Sequence, residues 1–396
     1  MLPNGIRIAI DRGGTFTDCI GFLPDGSSTI VKLLSEDPAN YADAPLEGIR
    51  RILSAAQGSD IPRDQLLDAS AIESIRMGTT VATNALLERK GEPLALVVSR
   101  GFGDCLEIGN QSRPRIFDLA IRRPEVLYQT VVEIDERVTL EDYAEDPERA
   151  LTSVDARVGT ADGDNKELVV MGLSGEAVRI LERPDEARIR EQLEKVRESG
   201  IRSVAVCLMH AYTFPSHEAL VGKIAREVGF EHVSLSHELM PMIKLVPRAT
   251  SVCVDAYLTP AIKKYISGFR AGFEGGLALV PKTAGLEGKD DDDNDNGKDS
   301  ESSDGPKRSR CEFMQSDGGL CDVERFTGLH AILSGPAGGV VGYARTSWDD
   351  ETRIPVIGFD MVSCVSVCPP GHFLSSLTPP SGRHQHRCVE IRRRPL

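Results

Sequence analysis

The segment Asp11-Arg12-Gly13-Gly14-Thr15-Phe16-Thr17-Asp18, set directly after the alternating run Ile6-Arg7-Ile8-Ala9-Ile10, constrains this chain more than any other stretch. Alternation puts Ile6, Ile8 and Ile10 on one side of a strand. Cys19-Ile20-Gly21-Phe22-Leu23 and the turn Pro24-Asp25-Gly26 follow, so the octapeptide is expected to form the bend of a β-hairpin. A bend of this composition can also cradle phosphate. Paired glycines let backbone approach an anion closely. Successive N–H groups, with the Thr15 and Thr17 hydroxyls, can donate to phosphate oxygens. Asp11, at the strand end, suits Mg²⁺ held through water, since magnesium dehydrates reluctantly and prefers carboxylates. A tight turn with Asx and Thr capping is the plain alternative. Two glycines alone favour it; the complete octapeptide after a strand favours the cradle.

Strand and helix patterns then alternate. Leu94 to Val98 reads as a buried strand, and Asp185 to Ser199 as an amphipathic helix with Ile189, Leu193 and Val196 on one face and Gly200 as its stop. Ser203 to Met209 reads as a strand, Ser216 to Val228 as a helix closed by Gly229, and His232 to Ser236 as another strand. This order argues for an α/β fold with parallel pairing. A helix is expected after Ser334, with Pro336 in its first turn, and a strand from Pro355 to Asp360. Residues 285–310, rich in Asp, Asn, Gly, Ser and Lys, read as a disordered acidic insertion.

The formal charge of −14 says little about partners, because Glu287 to Asp304 alone holds nine acidic and two basic residues. The mildly acidic remainder disfavours a nucleic-acid partner. No apolar run approaches the roughly 18 residues of a membrane span. No secretory pattern is visible at Met1 to Arg7, which makes the cytoplasm the expected location. The nine cysteines are scattered without a Cys-x-x-Cys pair, as expected of reduced, mostly buried thiols.

Other motifs carry less. Gly101 to Leu106 starts like a dinucleotide fingerprint but has Leu106 at the third glycine. Asp292 to Gly297 opens like a calcium loop, yet position twelve is Ser303. Cys364, Cys368, His384, His386 and Cys388 fit no zinc spacing. His210, after a strand, could be functional, with a hydrogen-bonded buried histidine as the plainer reading.

The octapeptide resembles the first phosphate motif of the actin, sugar-kinase and heat-shock-chaperone ATPases, in the variant found in the hydantoinase A and oxoprolinase family. Further stretches resemble that family in its order: Gly78 to Arg89, Arg100 to Gly109, Pro241 to Pro260, Phe313 to Gly319, and Ser334 to Gly339. The resemblance runs from about Ile6 to Met361. It implies an actin-like ATPase lobe in a hydantoinase A/oxoprolinase amino-terminal domain over residues 5–230. Residues 231–361 would begin the hydantoinase A domain, an incomplete second lobe. It further implies ATP-dependent hydrolysis of 5-oxo-L-proline to L-glutamate, with Mg²⁺ and ATP, and a homodimer through the full-length architecture. An ATP-dependent hydantoinase or a ketone carboxylase subunit is the enzymatic alternative. Asp11 would serve Mg²⁺-bound water; Gly13, Gly14, Thr15 and Thr17 would bind the phosphates, with Asp18 binding them too or orienting the turn. On the substrate side Thr79, Thr80 and Asn84 offer polar groups. Arg113 and Arg137 could pair with a substrate carboxylate, since Arg matches it bidentately; a solvated ion pair is the bland reading of both.

The sequence departs from the family where a second hairpin of the form Asp-Met-Gly-Gly-Thr is due. Here Asp360-Met361 runs into Val362-Ser363-Cys364. Residues 362–396 carry no usable period and are expected to lie outside the fold, which makes a catalytically dead fragment the reading from a different class. Translated intron would explain such a tail; transcripts that all read Val362 onward would exclude it.

Overall fold

The computed structural model describes residues 5–110, 117, 125–140, 168–277, 310–347, 349, 351–352, 356–362 and 385–391. Arg113, nearly all of the acidic insertion, and the segment 363–384 with Cys364, Cys368 and His384 lie outside the described residues.

The described elements begin with β1 (Ile6–Arg12), β2 (Phe16–Phe22), β3 (Ser28–Leu34), α1 (Ala44–Gln57), β4 (Ile72–Thr79), α2 (Val81–Leu87), β5 (Leu94–Ser99) and α3 (Cys105–Ile108). Next come β6 (Thr130–Ile134), β7 (Arg137–Leu140), β8 (Leu168–Met171), β9 (Ala177–Glu182), α4 (Glu186–Glu198), β10 (Ser203–Cys207), α5 (Ser216–Val228), β11 (His232–Leu235), α6 (Ser236–Leu239) and α7 (Leu245–Ala271). The last are β12 (Arg310–Met314), β13 (Leu320–Asp322), α8 (Gly328–Ala331), α9 (Ser334–Thr346), β14 (Val356–Val362) and β15 (Gln385–Ile391).

A six-stranded mixed sheet has the order β13-β12-β4-β1-β2-β3. β1 and β2 form the expected antiparallel hairpin, while β4 runs parallel to both β1 and β12. A second sheet, β11-β10-β5-β6, is parallel throughout, as the strand–helix alternation implied. β7-β9-β8 forms a small antiparallel sheet.

Ile6, Ile8 and Ile10 do share the buried face of β1, and they join Ile49 and Ile52 of α1 and Ile262 and Phe269 of α7 in one core. α7 is the layer between the two sheets: Leu94, Leu96 and Val98 of β5 belong to the same core. The other face of the second sheet, with Val97, Val204 and Val206, packs on Leu193 of α4 and Val221 of α5. One core therefore runs across the division expected at residue 230, because α7 fills space that the first domain leaves open. Pro260 sits inside α7 without breaking it. Proline has no N–H for the carbonyl four residues back; the buried Ser203 hydroxyl donates to that Ala256 oxygen at 2.7 Å instead.

The tail is corrected in part. Gln385–Ile391 pairs antiparallel with β14 along its whole length. A two-stranded ribbon draws its backbone bonds from its partner and needs no buried periodic face, so the absence of a period did not exclude it.

Candidate functional site at the carboxyl edge of the first sheet

The hairpin bend is Gly13 to Phe16, closed by the Gly13 N–H donating to the Phe16 carbonyl at 3.0 Å. Gly14, Thr15 and Phe16 are exposed at its tip. Glycine is needed here for closeness rather than for a left-handed conformation: neither Gly13 nor Gly14 has positive φ, whereas a Cβ on Gly13 would lie 2.9 Å from the Phe16 oxygen. The bend is held from below by Ser35, which sequence reading missed. Its N–H donates to the Thr15 carbonyl at 2.9 Å and its hydroxyl to the Gly13 carbonyl at 2.7 Å. A lone serine just past a strand gives no signal of such a role.

Two expected phosphate ligands are otherwise engaged. Thr17 is fully buried, with its hydroxyl 3.0 Å from the Ser35 hydroxyl, because even-numbered spacing from Cys19 turns it to the core face of β2. Asp18 receives the Lys32 ammonium on both oxygens at 2.8 Å and so steadies the hairpin. Asp11 stands exposed at the end of β1, in register with Gly78 of β4. Beside it, Arg12 lies with its guanidinium carbon 4.8 Å from the centre of the Tyr265 ring.

Gly78-Thr79-Thr80 closes against this hairpin. The Arg12 carbonyl accepts from the Thr80 N–H at 3.0 Å and from its hydroxyl at 3.3 Å. Asn84, one turn into α2, donates to the Thr80 hydroxyl at 3.4 Å. Thr79 is buried; its hydroxyl accepts from the Val81 N–H, and its carbonyl accepts from the Ser334 hydroxyl at 2.7 Å. α9 starts at Ser334, within one residue of expectation, and a Cβ on Gly335 would come 3.1 Å from the Thr80 methyl. The turn after β12 is tied in as well, since the Ser316 hydroxyl accepts from the Leu333 N–H. Four stretches far apart in sequence thus meet at the carboxyl ends of β1, β4 and β12, where ligands of open α/β sheets bind. Arg137 is not among them: it opens β7 of the small antiparallel sheet, where it donates to the Arg100 carbonyl at 2.7 Å and stacks 4.9 Å from the centre of the Phe102 ring.

Among the described residues no cluster of three or more His, Cys, Asp or Glu side chains is arranged to hold a metal ion. No helix there is long and apolar enough to cross a membrane. The described cysteines are free. Burial pushes the Cys19 and Cys311 thiols up to about 12, and those of Cys207 and Cys321 to about 11, which makes them poor nucleophiles.

A mixed α/β fold with a glycine hairpin at the carboxyl ends of parallel strands defines the class of fold. Within that class the chain belongs to the hydantoinase/oxoprolinase family: residues 7–229 match its N-terminal region and residues 248–363 its second region. The chain is 50% identical over 364 residues to 5-oxoprolinase of Saccharomyces cerevisiae and 46% identical over 373 residues to that of Dictyostelium discoideum. These matches take in 91% of this chain in both cases, and 25% and 26% of the relatives, so the chain spans about a quarter of their length. Its fold is that of an ATP-dependent caprolactamase from Pseudomonas jessenii, at a TM-score of 0.57 and 23% identity, over 89% of this chain and 41% of that one.

Proposed function

We propose that this chain forms part of an ATP-dependent 5-oxoprolinase, and that its Gly13–Thr15 bend holds the nucleotide phosphates. The observation that carries this reading is the meeting of four family motifs around one exposed glycine bend. The residues fit the ligand: Gly14 and Thr15 are open to solvent, Gly13 leaves no room for a side chain, and Asp11 is an exposed carboxylate at the strand end.

A five-membered lactam resists water because amide resonance makes its carbonyl a poor electrophile. ATP would supply a phosphoryl group to the amide oxygen, after which water can open the ring to glutamate. This chain's share is positioning and charge neutralisation, for which loop N–H groups suit phosphate oxygens. In the proposed set Gly13, Gly14 and Thr15 face the phosphates, and Asp11 holds Mg²⁺ through water. Thr17 and Asp18 are left to fix the hairpin. Thr80 and Asn84 border the same edge, at the side open to substrate.

The test joins this chain to the remaining part of a full-length relative and measures ATP-dependent release of glutamate from 5-oxoproline. Gly13→Val should lower turnover about 10²–10³-fold, the scale of losing one oriented donor, while circular dichroism stays unchanged. Turnover of hydantoins with none of 5-oxoproline would replace this reading by the hydantoinase one. The 396-residue chain alone should be inactive, since Val362-Ser363-Cys364 stands where the second glycine hairpin is due and groups acting as a unit fail together.

A further inference from the structure

Within the family-like stretch Pro241 to Pro260, Asp255 and Thr259 of α7 are polar yet almost wholly buried, at 2% and 1% exposure. Their partners come from three elements. The Ser234 hydroxyl of β11 donates to Asp255 Oδ2 at 2.8 Å, and His232 Nε2 lies 2.9 Å from that hydroxyl. Thr259, one turn further along α7, donates its own hydroxyl to Asp255 Oδ1 at 2.8 Å. The third element is α8. Its Leu329 N–H donates to Asp255 Oδ1 at 3.2 Å, and its Gly328 N–H to the Thr259 hydroxyl at 2.8 Å.

The first N–H groups of a helix have no partner within it. Thr327, the residue before α8, makes no capping bond with its side chain. A second helix therefore supplies the cap, and half of it is a carboxylate, the stronger kind of acceptor. The two helices dock closely at this point. A Cβ on Gly328 would lie 2.5 Å from Leu258 Cβ and 2.6 Å from the Thr259 nitrogen, so the position needs glycine.

α8 is a single turn, and its far end closes on the first edge. The Ile332 carbonyl accepts from the Thr83 hydroxyl of α2, and the Leu333 N–H donates to the Ser316 hydroxyl at 3.0 Å. The buried Ser334 hydroxyl lies 2.7 Å from the Thr79 carbonyl. Thr80 follows directly and donates to the carbonyl of Arg12, the residue before the glycine bend. A one-turn strut pinned at both ends carries a shift at one end to the other, as rigid elements do. Its near end is referred to the second sheet, because Ser234 ties Asp255 to β11 and Ser203 ties the Ala256 carbonyl to β10.

We propose that Asp255 and Thr259 are positioning residues for the phosphate-binding edge, acting through α8 to set where Ser334, Thr79 and Thr80 stand against the glycine bend. The proposal rests on the phosphate reading above and adds the device that holds that edge in register with the second sheet.

The experiment follows amide hydrogen exchange in the purified 396-residue chain. Thr259→Val keeps the branched shape and removes the hydroxyl, and should speed exchange about tenfold at Thr80 and Gly13, whose N–H groups donate to Arg12 and Phe16. Thr259→Ser should restore it, and Val206, in the core of the second sheet, should not change. Ser334→Ala cuts the far end of the strut and should speed Thr80 alike while Gly328 stays protected. Unchanged exchange at Thr80 in either Thr259→Val or Ser334→Ala would overturn the proposal, as would a rise shared equally by Val206, the mark of general loosening. In the chain joined to the rest of a full-length relative, Thr259→Val should raise the KM for ATP about tenfold, with Thr259→Ser restoring it; loss of folded enzyme would lower kcat alone. A joined wild type that turns over no 5-oxoproline removes the reading of function above, and the exchange rates still decide the strut.

Discussion

The carboxyl edges of the two sheets are built from different material. At the first, the polar groups are backbone: a glycine bend whose carbonyls are tied to Ser35 and whose tip is exposed. At the second they are side chains, among them Ser99, Glu136 and Arg248, all buried. Backbone sites tolerate change in side chains that merely brace them. Side-chain sites carry charge into the interior, and depend on each charge having its counterpart.

The largest effect should come from Arg248, fully buried, which donates to the Ser236 hydroxyl and to the carbonyls of Met242 and Leu208. Ser236 in turn bonds Glu218, which is fully buried and also accepts from Leu208 N–H, His237 N–H and the His237 ring. Arg248→Met leaves the Ser236 hydroxyl and the Met242 and Leu208 carbonyls without their buried donor and should cost about 3–5 kcal/mol, read from urea unfolding. A cost under about 1 kcal/mol would show that the second edge is not held by charge.

Asp255 gives the next effect, with a pH signature. Burial works to raise its pKa, but bonds from His232, Ser234 and Thr259 together outweigh this and hold it at about 2. A carboxyl depressed in the folded state stabilises above its unfolded pKa of about 3.9 and loses that contribution as pH falls toward about 2. The chain should therefore lose roughly 2–3 kcal/mol over that window. Asp255→Asn should be less stable at pH 7 and should lack this limb in urea midpoints taken from pH 7 to pH 2.

At the first edge the effects shrink. Ser35→Ala removes the hydroxyl that serves Gly13 and Thr17 and should cost about 1–2 kcal/mol, with faster amide exchange at Gly13 to Thr17. Asp18→Asn breaks a half-exposed pair with Lys32 and should change stability by less than about 1 kcal/mol. A larger loss for Asp18 than for Ser35 would reverse the view of which one braces the bend.

The same contrast decides what could be read from sequence. The hairpin, α5 and the start of α9 were legible because each is signalled by neighbours: alternating isoleucines, Gly229 after Val228, Pro336 after Ser334. The bend was legible as a turn for that reason too, since paired glycines directly follow the alternating run. That Thr17 turns to the core was not legible, because contiguity does not tell which side of a strand a hydroxyl takes until the register is known. The packing around His210 could not be read in this way, since the β8–β9 turn and the loop after His210 meet only in the folded chain.

The pairing of β12 with β4 joins residues 236 positions apart, as the Arg76–Glu312 ion pair shows. A ribosome adding about 5–20 residues each second needs on the order of ten to fifty seconds to supply the later strand. Throughout that interval one side of β4 has backbone donors and acceptors with nothing to pair, a template for passing strands. The strand order itself thus sets how long that side of β4 waits during synthesis, and slower codons after residue 80 would lengthen the interval.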